Sequence, residues 1–180
     1  MQPGMAQAGQ TPEEATMFER FLLAIDETAA SEVGISFATA LAHRHRASVH
    51  VFHANEFLLG GRGVTVETHV EADRLVERAV DQLREAGVEA TGEVALANVF
   101  TLAPRIAEAA SKAGADAILL GSQRHRTLTH LFGRGVRERV TRMTPLPVLT
   151  APAPLKLGRR HRPDAEVRRL APVGDQTVNG

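Results

Sequence analysis

Two short, uninterrupted apolar runs constrain this chain more than any other feature: Phe21–Ile25 (FLLAI), which stops at Asp26, and Ala117–Leu120 (AILL), which runs into Gly121-Ser122. A strand that is apolar at every position is buried on both faces, as happens at the centre of a parallel sheet covered by helices. The rest of the chain supplies those helices. Val33, Phe37, Ala40 and Leu41 recur at helical spacing after Ser31, a candidate cap, and the polar cluster His43 to Arg46 closes that helix. Ser48–Ala54 (SVHVFHA) has the β-branched and aromatic content of a second strand.

A glycine-rich loop with Gly60, Gly61 and Gly63 leads to a second helix, marked by Ala72, Leu75, Val76, Ala79, Val80 and Leu83 and stopped at Gly87. Val88 to Leu96 then alternates apolar and polar residues, which predicts a half-exposed strand at the sheet edge. Thr101 is placed to cap a third helix that accepts Pro104 in its first turn and buries Leu102, Ala103, Ile106, Ala107 and Ala110 up to Gly114. Val136, Val140 and Met143 predict a last helix, and Pro147 to Thr150 a last strand. The order βαβαβαβαβ is that of a single doubly wound α/β domain, a parallel sheet with helices on both faces and right-handed crossovers. Ligands in such folds bind beyond the carboxyl ends of the strands, where Asp26, Ala54 and Gly121 fall.

Composition narrows the function classes. The chain is 43% hydrophobic, enough for a core over its 180 residues. Net charge is zero and Trp and Tyr are absent, so neither a basic field nor stacking platforms favour nucleic acid as a partner. With no Cys, a disulfide frame, a thiolate metal site and a cysteine nucleophile are all excluded, and a reducing, cytoplasmic setting is expected. No segment reads as a secretory signal or a membrane span. Residues 1–16 and the Arg/Pro-rich residues 153–180 are expected to be disordered, leaving 17–152 as the domain. His43 and His45 point apart on a helix, and His50 and His53 lie on opposite faces of a strand, so no metal site is expected from either pair.

The usual catalytic and phosphate motifs are missing: there is no GxGxxG after the first strand, no GxxxxGK[ST] and no GxSxG elbow. What remains is the stretch Ala115–Pro152, with Ala115-Asp116, Gly121-Ser122, Val136, Glu138-Arg139-Val140 and Pro145-Leu146-Pro147-Val148-Leu149. Together with FLLAIDET and VFHA near the start, it resembles the universal stress protein family over about residues 18 to 152.

That resemblance implies a five-stranded parallel sheet of order 3-2-1-4-5, dimerisation through the last strand, and an ATP or ADP site, with Mg²⁺ present only if ATP is bound. It assigns Asp26 to the adenosine part, Ala54 to the adenine pocket, and Gly121 to the start of a loop of pattern G-x2-G-x9-G-[ST] that holds ribose and phosphates. The rest of the loop departs from the pattern. Arg124 stands at the second glycine, and Arg134-Gly135 replaces Gly-Ser or Gly-Thr just before Val136. Phosphate is held by backbone N–H groups at close range, which a Cβ obstructs. Ser122 or Thr127 is the remaining hydroxyl source, and Arg124, Arg126, Arg134 and Arg137 would concentrate positive charge beside a helix N-terminus.

Asp26 also has a plain reading as a cap of the loop after the first strand, Gly121 as a tight turn, and Arg137 to Arg142 as a solvated face paired with Glu138. Nothing supplies a positioned general base with a nucleophile. The leading reading is a non-catalytic homodimeric binding module of the stress response, with weak or absent ATP/ADP binding. Its alternatives are an ATP-binding member with slow ATP hydrolysis, and a partner-binding dimer without a small ligand that uses the strand Pro147 to Thr150.

Overall fold

The computed structural model describes residues 18–57, 65, 67–121 and 135–152. The elements alternate as read from the pattern: β1 (Arg20–Ile25), α1 (Ala29–His45), β2 (Ser48–Glu56), α2 (His69–Glu85), β3 (Ala90–Ala97), α3 (Leu102–Ala113), β4 (Ala117–Leu120), α4 (Val136–Met143) and β5 (Val148–Thr150). The five strands form one parallel sheet in the order β3-β2-β1-β4-β5. The two continuously apolar runs are the neighbours β1 and β4 near its centre, and the alternating strand β3 is at one edge. The expected terminal segments, and the loop with Gly60, Gly61 and Gly63, lie outside the described residues.

Strand alternation divides the core into two layers. Phe21, Leu23 and Ile25 of β1 face α1 and α2, packing with Ile35, Ala38 and Ala42 of α1 and Val76, Ala79, Val80 and Leu83 of α2. Leu22 of β1 and Ile118 and Leu120 of β4 face the other way, against Ile106, Ala109 and Ala110 of α3 and Val140 of α4. The edge strand β3 comes close to its helix because Gly92 has no side chain. A Cβ there would lie 2.4 Å from Val76 Cγ1 and 3.0 Å from Val80 Cγ2.

Several local expectations are corrected. Thr28, not Ser31, caps α1: the helix begins at Ala29 and the Thr28 side chain accepts from Ala30 N–H. The buried side of α1 carries Ile35, Ala38 and Ala42, while Ala40 is exposed and Phe37 and Leu41 pack at the margin. Apolar residues cover a wide arc of this helix, broken by Glu32, Ser36, Thr39 and His43, so periodicity alone did not fix which part of that arc faces inward. In β3, Leu96 is exposed despite sharing a face with half-buried Val94, and Val88 precedes the strand. Thr101 makes no capping bond at α3. Instead Asn98 Oδ1 accepts from Phe100 N and Thr101 N while Asn98 N donates to Thr101 Oγ1, a reciprocal cap one turn earlier. Ala109 replaces Ala107 in the buried stripe.

Candidate functional site

The register Ile25↔His53 and Ala24↔Leu120 sets Asp26 and Gly121, just past the carboxyl ends of β1 and β4, beside Ala54, which lies within β2 rather than at its end, because pairing with β3 carries that strand on to Glu56. Strand order reverses between β1 and β4, so this is the switch point at which open α/β sheets form their ligand crevice. Asp26 also organises the turn that opens α1. Its Oδ1 accepts from Thr28 N–H at 2.9 Å, from the Thr28 hydroxyl and from the Ser31 hydroxyl at 2.9 Å. Ser31 Oγ in turn accepts from Asp26 N–H at 2.8 Å and lies 2.7 Å from Asp26 O. The plain reading of Asp26 as a cap therefore describes a real part of its work.

Gly121 sits against the first turn of α1, where a Cβ would meet Ala30 Cβ at 3.5 Å, an ordinary contact. Its φ is not positive, so the tight-turn reading has no conformational requirement behind it. Ala54 is half-buried and packs toward α3 and α4. Gly135 is the N-cap of α4 in an extended conformation, with open space where a Cβ would project. No side chain caps α4, so this helix start offers backbone N–H groups without a hydroxyl. Val136 follows, half-buried beside the α3 and α4 layer. Ser122, Arg124 and Arg134 lie outside the described residues, as do Arg126 and Thr127.

The arginines of α4 are not a uniform solvated face. Arg142 pairs with Glu138 at 3.3 Å, but Arg139 donates to the carbonyls of Val99 and Phe100, fastening α4 to the loop between β3 and α3. Arg137 reaches Thr150 Oγ1 of β5 at 3.5 Å. Carbonyls at the end of a strand accept strongly from a guanidinium, and sequence spacing carries no sign of a partner 40 residues away.

A second polar group lies on the other face of the same strand ends. His53 is buried, its Nδ1 is 3.1 Å from Ile25 O, and its Nε2 makes a very short contact with Glu67 Oε1. Asn55, only 1% exposed, donates to Glu67 O at 3.4 Å, and its Oδ1 is buried without a partner among the described residues. Glu67 Oε2 is likewise buried with no donor. Glu27, from the turn after β1, comes within hydrogen-bonding reach of Glu67. Two ionised carboxylates cannot bond each other, so sharing a proton with Glu67 holds the Glu27 carboxyl above its ordinary range, helped by partial burial and by the Glu67 and Glu71 charges, against the opposing pull of His53.

Sequence reading missed this cluster because Glu67 has no motif of its own. Its neighbour does: Thr68-His69-Val70-Glu71 is a capping box. Glu71 N donates to Thr68 Oγ1, and Thr68 N donates to Glu71 Oε2. Those bonds from Thr68 hold the Glu71 carboxyl below its usual value. Among the described residues no three His, Asp or Glu side chains converge to hold a metal ion, and no helix is long and apolar enough to cross a membrane.

Comparison with known proteins places this arrangement. No curated protein sequence matches the chain. Solved structures do: a protein from the universal stress protein family of Burkholderia pseudomallei is 23% identical, with a TM-score of 0.58 over 76% of this chain and 98% of the other. The universal stress protein of Archaeoglobus fulgidus in complex with dAMP is 23% identical, with a TM-score of 0.57 over 76% of this chain and 99% of the other. A family protein of Arabidopsis thaliana with AMP bound is 12% identical, with a TM-score of 0.51 over 76% and 93%. These likenesses establish the fold. The sequence model of the universal stress protein family matches residues 17–152, which include all five strands and the crevice at their carboxyl ends, and so the chain belongs to the universal stress protein family.

Proposed function

We propose that this chain is a non-catalytic, homodimeric binding module of the cytoplasm that holds an adenine nucleotide weakly in the crevice above β1, β2 and β4. The observation that carries the reading is a contrast. Asp26, Ala54 and Gly121 stand together at the switch point, whereas Gly135 brings no hydroxyl to the start of α4 and Arg134 replaces a loop glycine in the sequence. Relatives of the same fold were solved with dAMP and with AMP, which supports an adenine nucleotide as the ligand class.

Isothermal titration of the full chain with AMP, ADP and Mg²⁺-ATP tests this, beside the double variant Arg134→Gly/Gly135→Ser. Restoring a glycine and a hydroxyl should tighten binding about tenfold or more, about 1.4 kcal/mol, the worth of one good hydrogen bond to a charged group. Wild-type binding tighter than a Kd of about 10 μM, unchanged in the double variant, would overturn the reading. Phosphate release from Mg²⁺-ATP above a buffer blank would move it to slow hydrolysis.

The dimer part of the proposal is supported by β5, a three-residue strand at the sheet edge whose Val148, Leu149 and Thr150 are half-buried. Its outer backbone groups suit edge pairing with a second copy. Sedimentation velocity should show a dimer that Leu149→Pro converts to monomer, and a wild-type monomer at tens of micromolar would refute it.

A further inference from the structure

The helix that opens beside the crevice is held by few contacts. α4 spans eight residues, and of its side chains only Val140 is buried. A helix of two turns has no stability of its own in water, so its direction is set by what it touches. Val136 is half-buried, and Arg137 reaches β5 only at 3.5 Å, too long for a strong bond. Anchored at Val140 alone, α4 would pivot. Gly135 begins the helix five residues before Val140, about 7.5 Å away at the α-helical rise, so a tilt of about 10° displaces that start by about 1.3 Å. A binding constellation tolerates about 0.5 Å.

Arg139 supplies the constraint that packing leaves out. Its Nη2 donates to Phe100 O at 2.6 Å and its Nη1 to Val99 O, so two arms of one planar group take consecutive carbonyls. The receiving turn is itself fixed. Asn98 is buried, its Oδ1 accepts from Phe100 N at 2.9 Å and from Thr101 N at 3.0 Å, and its N–H donates to Thr101 Oγ1 at 2.9 Å. Leu102 and Ala103, which follow, lie in the same core layer as Val140. A fork on a rigid turn stops rotation that a single-point contact permits.

We propose that Arg139 is a positioning residue that fixes the start of α4 against the turn between β3 and α3, and thereby sets the affinity of the crevice, a role that rests on the adenine-nucleotide reading of that site. Val136 packs in the same layer as Ala54 and Leu120, so a tilt of α4 moves a side chain of the layer beneath the crevice together with the helix start. Lysine is the informative substitution, because it keeps the charge but offers a point donor in place of the fork.

The test is AMP binding to the full chain, followed by NMR shifts in wild type and by calorimetry in the Arg134→Gly/Gly135→Ser parent, each with and without Arg139→Lys or Arg139→Met. Both substitutions should weaken AMP by about tenfold, the effect of one well-aligned hydrogen bond to a charged group. Gly92→Ala, which crowds Val76 in the other core layer, is the control for lost stability, and its affinity should stay within about twofold of its parent. Unchanged affinity in Arg139→Lys would overturn the proposal, as would equal weakening in Gly92→Ala. No AMP binding by either parent would overturn the nucleotide reading and the role of Arg139 with it. Should Arg139→Met fail to fold, Arg139→Lys decides alone.

Discussion

Replacing Gly92 with Ala probes how the edge of the sheet is built. A Cβ at this position lies 2.4 Å from Val76 Cγ1, 3.0 Å from Val80 Cγ2 and 3.2 Å from Val51 O. Carbon atoms pack at about 3.5–4.0 Å, so Val76 must retreat by more than about 1 Å. It has little freedom to do so. Val76 is 6% exposed and Val80 7%, their β-branched side chains are confined to one rotamer in a helix, and Val51 O belongs to the backbone of β2. The whole of α2 has to lift from β3, at a cost of about 1–3 kcal/mol typical of overpacking. Loss of glycine freedom in the unfolded chain offsets about 0.4–1 kcal/mol of this. The net expectation is about 1–2 kcal/mol, or a Tm lower by roughly 3–10 °C for a domain of this size. Urea unfolding at neutral pH measures it, repeated in a Val76→Ala background that removes the nearest methyl. There Gly92→Ala should cost less by at least about 0.5 kcal/mol, a coupling expected of touching residues. Full stability of Gly92→Ala, or an equal cost in both backgrounds, would refute the account of close helix approach.

Other perturbations separate local roles. Asp26→Ala removes the acceptor of Thr28 N–H and of two hydroxyls and should cost about 1–3 kcal/mol in urea unfolding, while Asp26→Asn, which keeps Oδ1, should recover most of it. Equal losses for Ala and Asn would mean that the charge, not the turn, is what matters. Arg139→Met breaks two charge-assisted bonds to Val99 O and Phe100 O and should destabilise by about 1–3 kcal/mol, with faster amide exchange in α4 as the local sign. The Glu71 carboxyl is held below its ordinary value of 4.5 by Thr68, so its contribution is present above that pH and lost as pH falls through the lower folded value. Wild type should therefore exceed Glu71→Ala in stability at pH 6, and the gap should close in strong acid; a gap that is constant with pH would contradict the capping-box account.

Much of the architecture was legible in the residues themselves. FLLAI and AILL read as strands buried on both faces, and β1 and β4 are indeed neighbours near the centre of the sheet. The same runs end at Asp26 and Gly121, and SVHVFHA ends at Ala54, so all three residues at the switch point could be named without coordinates, although β2 itself runs on to Glu56. Capping also had local signals. Thr68-x-x-Glu71 and Asn98-x-x-Thr101 are readable as helix starts, whereas Ser31 is a false cap signal for α1, where Thr28 caps, and Thr101 is the far partner of Asn98 rather than the cap of α3.

Tertiary structure decided what depends on contacts between distant segments. Which part of α1 faces the sheet followed from packing, because apolar residues cover a wide arc of it. Arg139 looked like a member of a surface ion pair until the end of β3 arrived beside it. The contact between His53 and Glu67 is the clearest case. The two residues carry no shared motif, and each alone reads as an ordinary polar residue. Only the parallel register of β1 with β2, together with the approach of the chain to α2, buries the two side chains against each other and makes them a single polar group inside the fold.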